Sequence, residues 1–127
     1  MEPKNRFRAL RVDELSTQDM YEFAFAHSFD PSNHSASSFW QSESLYVEDE
    51  EWGIGVLSDA IHSVFPDPPG FGWYGVTQVS LEQWARMETL TRDSHPHNQD
   101  VDAFFTAVHA WLDKGNRGAS FFWILGP

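Results

Sequence analysis

The run "ASFFWILG", residues 119–126, decides how the rest of the chain has to be arranged. Successive side chains of a strand point to opposite faces, so a half-buried strand alternates apolar and polar residues. Here Phe121, Phe122, Trp123, Ile124 and Leu125 are all apolar, and both faces of such a strand need cover. That predicts a strand lying centrally in its sheet. The segment before it has the other period. Val101, Phe104, Phe105, Val108 and Leu112 recur along one face of a helix over about 100–114, and Gly115 stands where a C-terminal cap belongs.

Outward from that pair, the same two periods organise the chain. Ser80 reads as an N-cap, with Gln83 in the reciprocal position of a capping box, and Trp84, Met87 and Leu90 lie along the apolar side of the helix that follows. "FGWYGVTQV", 71–79, reads as a strand with Phe71, Trp73, Thr77 and Val79 on one side. "VLSDAIHSVF", 56–65, places its apolar residues on a broad helical face, and "PDPPGFG" stops it. "FWQSESLYV", 39–47, gives another strand, preceded by a turn-forming loop over 30–38. "STQDMYEFAFAHSF" carries Ser16 as cap, Asp19 three residues on, and Tyr21, Phe25 and Phe29 at helical spacing, which predicts a helix over 17–28. Alternation over 7–12 predicts a first strand. The expected fold is one α+β domain over 1–127, a sheet of three or four strands with helices packed on it.

The bulk properties agree with such a core. At 127 residues, 41% hydrophobic, with six Trp and eleven Phe, the chain is far from the composition of a disordered one. Cysteine is absent, which removes disulfide scaffolds, thiolate metal sites and cysteine nucleophiles, and fits a reducing compartment. "MEPKNRFRAL" is basic but is followed by no apolar signal-peptide core, and no stretch approaches the roughly 18 apolar residues of a membrane span. The expectation is a cytoplasmic protein that binds no membrane.

Charge is where the sequence departs from the ordinary. The formal net charge is -11. From Val12 through Ala85 there is no Lys or Arg, while the interval holds thirteen Asp and Glu. Within it "LYVEDEEWGIG", residues 45–55, sets Glu48, Asp49, Glu50 and Glu51 in a row before Trp52. Adjacent like charges repel, and a solvated turn or a helix start, where acids complement the macrodipole, accommodates them. The length of the basic-free interval adds a functional reason. Segregated charge governs association rate and choice of partner rather than fold. Glu43, Glu48, Asp49, Glu50, Glu51 and Asp59 are the candidate contact residues for a cationic protein, with Trp52 as an anchor, since tryptophan is enriched at binding hot spots.

Other chemistries have weaker support. His95 and His97, with Asp100 and Asp102, are metal-ligand types, but His-Pro-His in a loop lacks the helical spacing that aims two imidazoles at one ion, and the two acids suit a helix N-terminus. A Ser/His/Asp set can be chosen in many ways, and no G-x-S-x-G elbow selects one. The glycines at 53–55 and 70–75 complete no phosphate loop. Lys4, Arg6, Arg8 and Arg11 form a basic patch, but a pI near 4.7 opposes nucleic acid, and pairing with the protein's own acids is the simpler role. No catalytic motif, cofactor or metal is indicated. The alternatives left open are a small metal-dependent or hydrolytic enzyme using His95 and His97, an anionic mimic of DNA, and an adaptor with a merely solubilising acid face.

In size, acidity and lack of cysteine, in the capped helix carrying "EQWARM" (82–87), and in a last helix followed by the aromatic strand "FFWILG" (121–126), the chain resembles the small immunity proteins of bacterial polymorphic and contact-dependent toxin systems. The resemblance implies a cytoplasmic, non-catalytic protein that neutralises a cognate toxin by direct binding, and the acidity of the chain points to a basic toxin of the nuclease type. It transfers no binding residue by position.

Overall fold

The computed structural model describes residues 6–29 and 41–127. Four strands, β1 (Met20–Phe25), β2 (Leu45–Glu48), β3 (Val76–Ser80) and β4 (Phe121–Leu125), form one antiparallel sheet in the order β2-β1-β4-β3. Three helices, α1 (Ile54–Val64), α2 (Leu81–Ser94) and α3 (Gln99–Gly115), complete an α+β fold. β4 is central, as its two apolar faces require: Phe122 and Ile124 join the core beneath the helices, and Trp123 and Leu125 pack on the opposite face.

The core on the helix side combines Tyr21, Phe23 and Phe25 of β1 with Leu45, Val47, Val79, Phe122 and Ile124, against the buried faces of all three helices. Trp84 sits at its middle, its ring 5.6 Å from Phe23 and 5.5 Å from Phe122, both edge-on. Edge-to-face pairs of this kind add to the burial of large aromatic area. On the other face Met20 and Tyr46 pack with Leu10, and Ala24 with Phe29, Trp123 and Leu125. Glu22 is buried there, accepting from the Gln41 N–H at 3.2 Å and the Tyr46 hydroxyl at 3.3 Å. Burial, and then the charge of Glu22, push the Tyr46 phenol up well beyond its usual range.

Three expectations from the sequence need correction. The stretch 17–28 is not a helix but contains β1, and all six of its strand residues are buried. Tyr21 and Phe25 are four apart, a spacing that belongs to one helical face and equally to one strand face. Phe23 between them is what arbitrates, and aromatic density favours the pleated surface. The strand expected over 71–79 begins only at Val76, because the chain before it makes tight turns. Trp73 N–H bonds the Phe71 carbonyl, Gly75 N–H that of Gly72, and Gly72 N–H the Thr77 hydroxyl at 2.8 Å. The strand expected over 7–12 is reduced to one bridge, Leu10 to Tyr46, followed by a single 3-10 turn at Val12–Glu14.

Elsewhere the elements stand as expected and only their edges and single positions differ. Ser80 accepts from Gln83 N–H while the Gln83 side chain accepts from Ser80 N–H, a complete capping box. Thr91, not Leu90, completes the buried stripe of α2; Leu90 lies on its flank, 37% exposed. In α3 Trp111 completes the buried stripe in place of Leu112, which is only half-buried; the Trp111 ring stacks on Phe25 at 4.3 Å and its indole N–H donates to the Glu43 carbonyl at 2.7 Å. Gly115 is the last residue of α3 rather than its cap; a Cβ there would lie 2.1 Å from the Phe25 ring. α1 starts at Ile54, two residues earlier than its apolar face indicates. The loop expected over 30–38, and residues 39–40 of the strand expected next, lie outside the described residues; within them β2 covers only Leu45–Glu48.

Candidate functional site

The register of the sheet gathers four chain segments at one end. Met20 faces Glu48, Glu22 faces Leu125, and Val76 faces Leu125, so β1 and β3 begin where β2 and β4 finish. Asp19 enters β1 there, and the acid run leaves β2 beside it, tied by the Asp49 N–H bonding the Asp19 carbonyl at 3.0 Å. The chain then turns tightly into α1: the Glu50 carbonyl accepts from both Gly53 and Gly55 N–H at 3.0 Å. Gly53 is required by closeness, since a Cβ on it would lie 2.2 Å from the Glu48 carbonyl oxygen. The acids therefore precede a helix N-terminus, where their charge complements the macrodipole. Glu50 and Glu51 are exposed, while Asp49 is half-buried.

The candidate residues do not all come together. Glu48 is half-buried and its carboxylate lies 3.6 Å from Arg8. Glu43 stands at the opposite end of β2; its carbonyl accepts from Trp111 and, at 3.4 Å, from Arg11, and its carboxylate takes the Ser28 hydroxyl. Asp59 is exposed on α1, facing the groove that α1 makes with Leu90 and His95. Trp52 is half-buried, and its indole N–H has no hydrogen-bond partner among the described residues. The residues that do converge are Asp19, Glu48, Asp49, Glu50 and Glu51.

Sequence reading missed the neighbours of this cluster. Asp19 was concealed by the helical reading of its segment. The loop 66–75, between α1 and β3, brings Asp67, Phe71, Trp73 and Tyr74 to the same end of the sheet, and Tyr74 is 84% exposed. Tyr21 joins the two groups: its ring lies 6.2 Å from Trp73 and 6.5 Å from Phe71. Its phenol is pushed up to about 12, mainly by burial, then by the negative charge of Asp49 and by Tyr74. A density of Pro, Gly and aromatics over 66–75 was the available signal.

Among the described residues one ion pair, Arg8 with Glu48, lies at this end, and the other acids there have no such partner. Among the described residues no Lys or Arg pairs with Asp19, Asp49, Glu50, Glu51, Asp59 or Asp67. Arg6 is occupied by Asp100 at 2.7 Å and Arg92 by Glu88 and Asp102 at 2.8 and 3.0 Å. Arg11 and Lys114 lie around Trp111 at the other end of the sheet, and Arg117 is in the turn between α3 and β4. Lys4 lies outside the described residues.

The histidine loop assembles differently. Asn98 caps α3, accepting from Asp100 and Val101 N–H, while Asp100 and Asp102 supply negative charge to its first turn and hold Arg6 and Arg92. Both carboxylates are thereby turned to arginine, and no group of three or more metal-ligating side chains occurs among the described residues. His109 pairs with Glu88 at 2.6 Å on exposed helix surface, and no hydroxyl among the described residues bonds that imidazole. No helix among the described residues is long and apolar enough to cross a membrane. Compared with models of known protein families, with curated proteins and with solved structures, the chain matches none.

Proposed function

We propose that this chain is a protein-binding inhibitor of the immunity type, which captures a cationic toxin domain on the acidic end of its sheet. One observation carries the reading: Asp19, Asp49, Glu50 and Glu51 converge where, among the described residues, the chain's cations are absent or already engaged, Arg8 by Glu48. An unbalanced field of this kind steers a positively charged partner, raising association rates to about 10⁸–10⁹ M⁻¹s⁻¹ at low salt against about 10⁵–10⁶ for neutral surfaces. Rapid capture has its greatest value when the free partner is harmful. Nuclease-type toxins have basic clefts, and an acidic plug occupies such a cleft without chemistry of its own. The absence of cysteine suits action in the cytoplasm.

The test is a pull-down with the full chain from its native cell, followed by expression of the recovered protein alone and together with the chain. A basic partner that is toxic alone and harmless in company supports the reading. Recovery of a partner that is acidic or harmless alone, or a toxic partner left unchecked by co-expression, overturns it.

A further inference from the structure

A cavity of about 290 Å³ opens between the last turns of α1 and the loop 66–75, lined by Ile61, His62, Phe65, Asp67, Phe71 and Trp73. Small-ligand pockets run from about 300 to 1,000 Å³, so this one has room for a single side chain rather than a cofactor. Its wall is aromatic. Phe71 meets Trp73 edge-on at 4.9 Å, Phe65 lies 5.6 Å from Phe71, and the His62 ring lies 5.6 Å from Trp73. Its polar groups are acceptors. Asp67 is exposed, and among the described residues no Lys or Arg lines the space. His62 Nδ1 lies 3.2 Å from the Ser58 carbonyl, which can only accept, so the neutral imidazole holds its proton there and leaves Nε2 as a lone pair.

We propose that this cavity receives one arginine side chain of the cationic partner, its guanidinium against the ring of Trp73 and its charge facing Asp67. The assignment rests on the capture reading above and deepens it, since it makes the aromatic loop the anchor beside the acidic surface. Guanidinium is planar and weakly hydrated and stacks on aromatic faces, whereas ammonium holds its water; arginine is therefore the better guest. Anionic guests meet Asp67 and the carboxylates beyond Tyr21. A purely apolar guest gains nothing from an acceptor-rich rim. Tyr74, exposed next to Trp73, extends the contact toward Asp49, whose charge reaches the Tyr21 phenol. Buried aromatic and arginine contacts ringed by weaker ones are the usual composition of a binding hot spot.

The experiment is an NMR titration of the full chain with N-acetyl-arginine methylamide and, in parallel, with its neutral isostere N-acetyl-citrulline methylamide. The arginine compound is expected to shift Gly70, Phe71 and the Trp73 indole N–H saturably, and the citrulline compound to leave them in place. Trp73→Leu should weaken binding on the order of tenfold. Asp67→Asn, at an exposed position that leaves the packing intact, should weaken it several-fold and serves if Trp73→Leu disturbs the fold. Equal response to both compounds, or shifts at Glu50 and Glu51 with the loop silent, would overturn the proposal. An all-arginine peptide titrated beside them separates the two ideas. Salt-dependent binding at the acid run with a silent cavity removes the anchor and keeps the capture reading; a responding cavity with no binding at the acid run does the reverse.

Discussion

At the scale of single residues, close approach decides more than charge does. Gly115 ends α3 against the ring of Phe25, which is itself held between Trp111 at 4.3 Å and His27 at 5.5 Å. Alanine gains up to about 1 kcal/mol of helix propensity over glycine. Forcing a methyl into a filled space costs about 1–3 kcal/mol, and moving the Phe25 ring aside would break its stacking on Trp111 and His27. The second effect wins, so Gly115→Ala is expected to lower stability by about 1–2 kcal/mol in urea denaturation, with the slope unchanged. A neutral or stabilising result would mean that Phe25 can vacate the position. None of this was legible in the sequence, where Gly115 reads as a cap; the contact joins residues ninety apart and no local pattern encodes it. The same holds for Glu43, which is indistinguishable from the other acids until the Trp111 indole is found on its carbonyl.

Elements were legible where a local rule had one solution. The Ser80 and Gln83 box is such a case, because the reciprocal bonds lie within four residues. Ser80→Ala is expected to cost about 1 kcal/mol, since it orphans an N–H of the first turn of α2, and Ser80→Asp should retain most of that. Equal loss in both variants, read by thermal or urea unfolding, would show that the hydroxyl acts through something other than the cap. β4 was legible because five consecutive apolar residues leave only a central position. β1 was not, because aromatics at positions 21 and 25 satisfy both periods, and the sheet settles the ambiguity through pairing on both sides. That misreading also hid Asp19, and with it the junction of the acid run to the start of β1. The half of the site on loop 66–75 escaped for a different reason: turns built from Gly and Pro bring aromatics together without a period to read.

For the whole molecule, electrostatics sets both stability and reach. Burial pushes the Tyr21 phenol up to about 12 in the folded chain and raises that of Tyr46 as well, while both ionise near 10 when unfolded. Above about pH 10 the unfolded chain therefore binds fewer protons than the folded one, and stability falls as pH rises through 12, by up to about 1.4 kcal/mol per pH unit for each phenol. Urea midpoints between pH 9 and 11 should show this decline, and Tyr21→Phe should shallow it; an unchanged slope would place the loss elsewhere. The charge of -11 with its open acidic end carries the functional claim. The most direct measurement is the association rate of the recovered cationic partner as a function of ionic strength. It compares the natural chain with Glu50→Lys/Glu51→Lys and with the equal charge change at the far ends of α2 and α3, Glu82→Lys/Asp113→Lys. The account predicts that the first pair slows association at low salt by on the order of tenfold or more and flattens its salt dependence, while the second changes it by less than about threefold. Equal effects from the two pairs, or none from either, would contradict it.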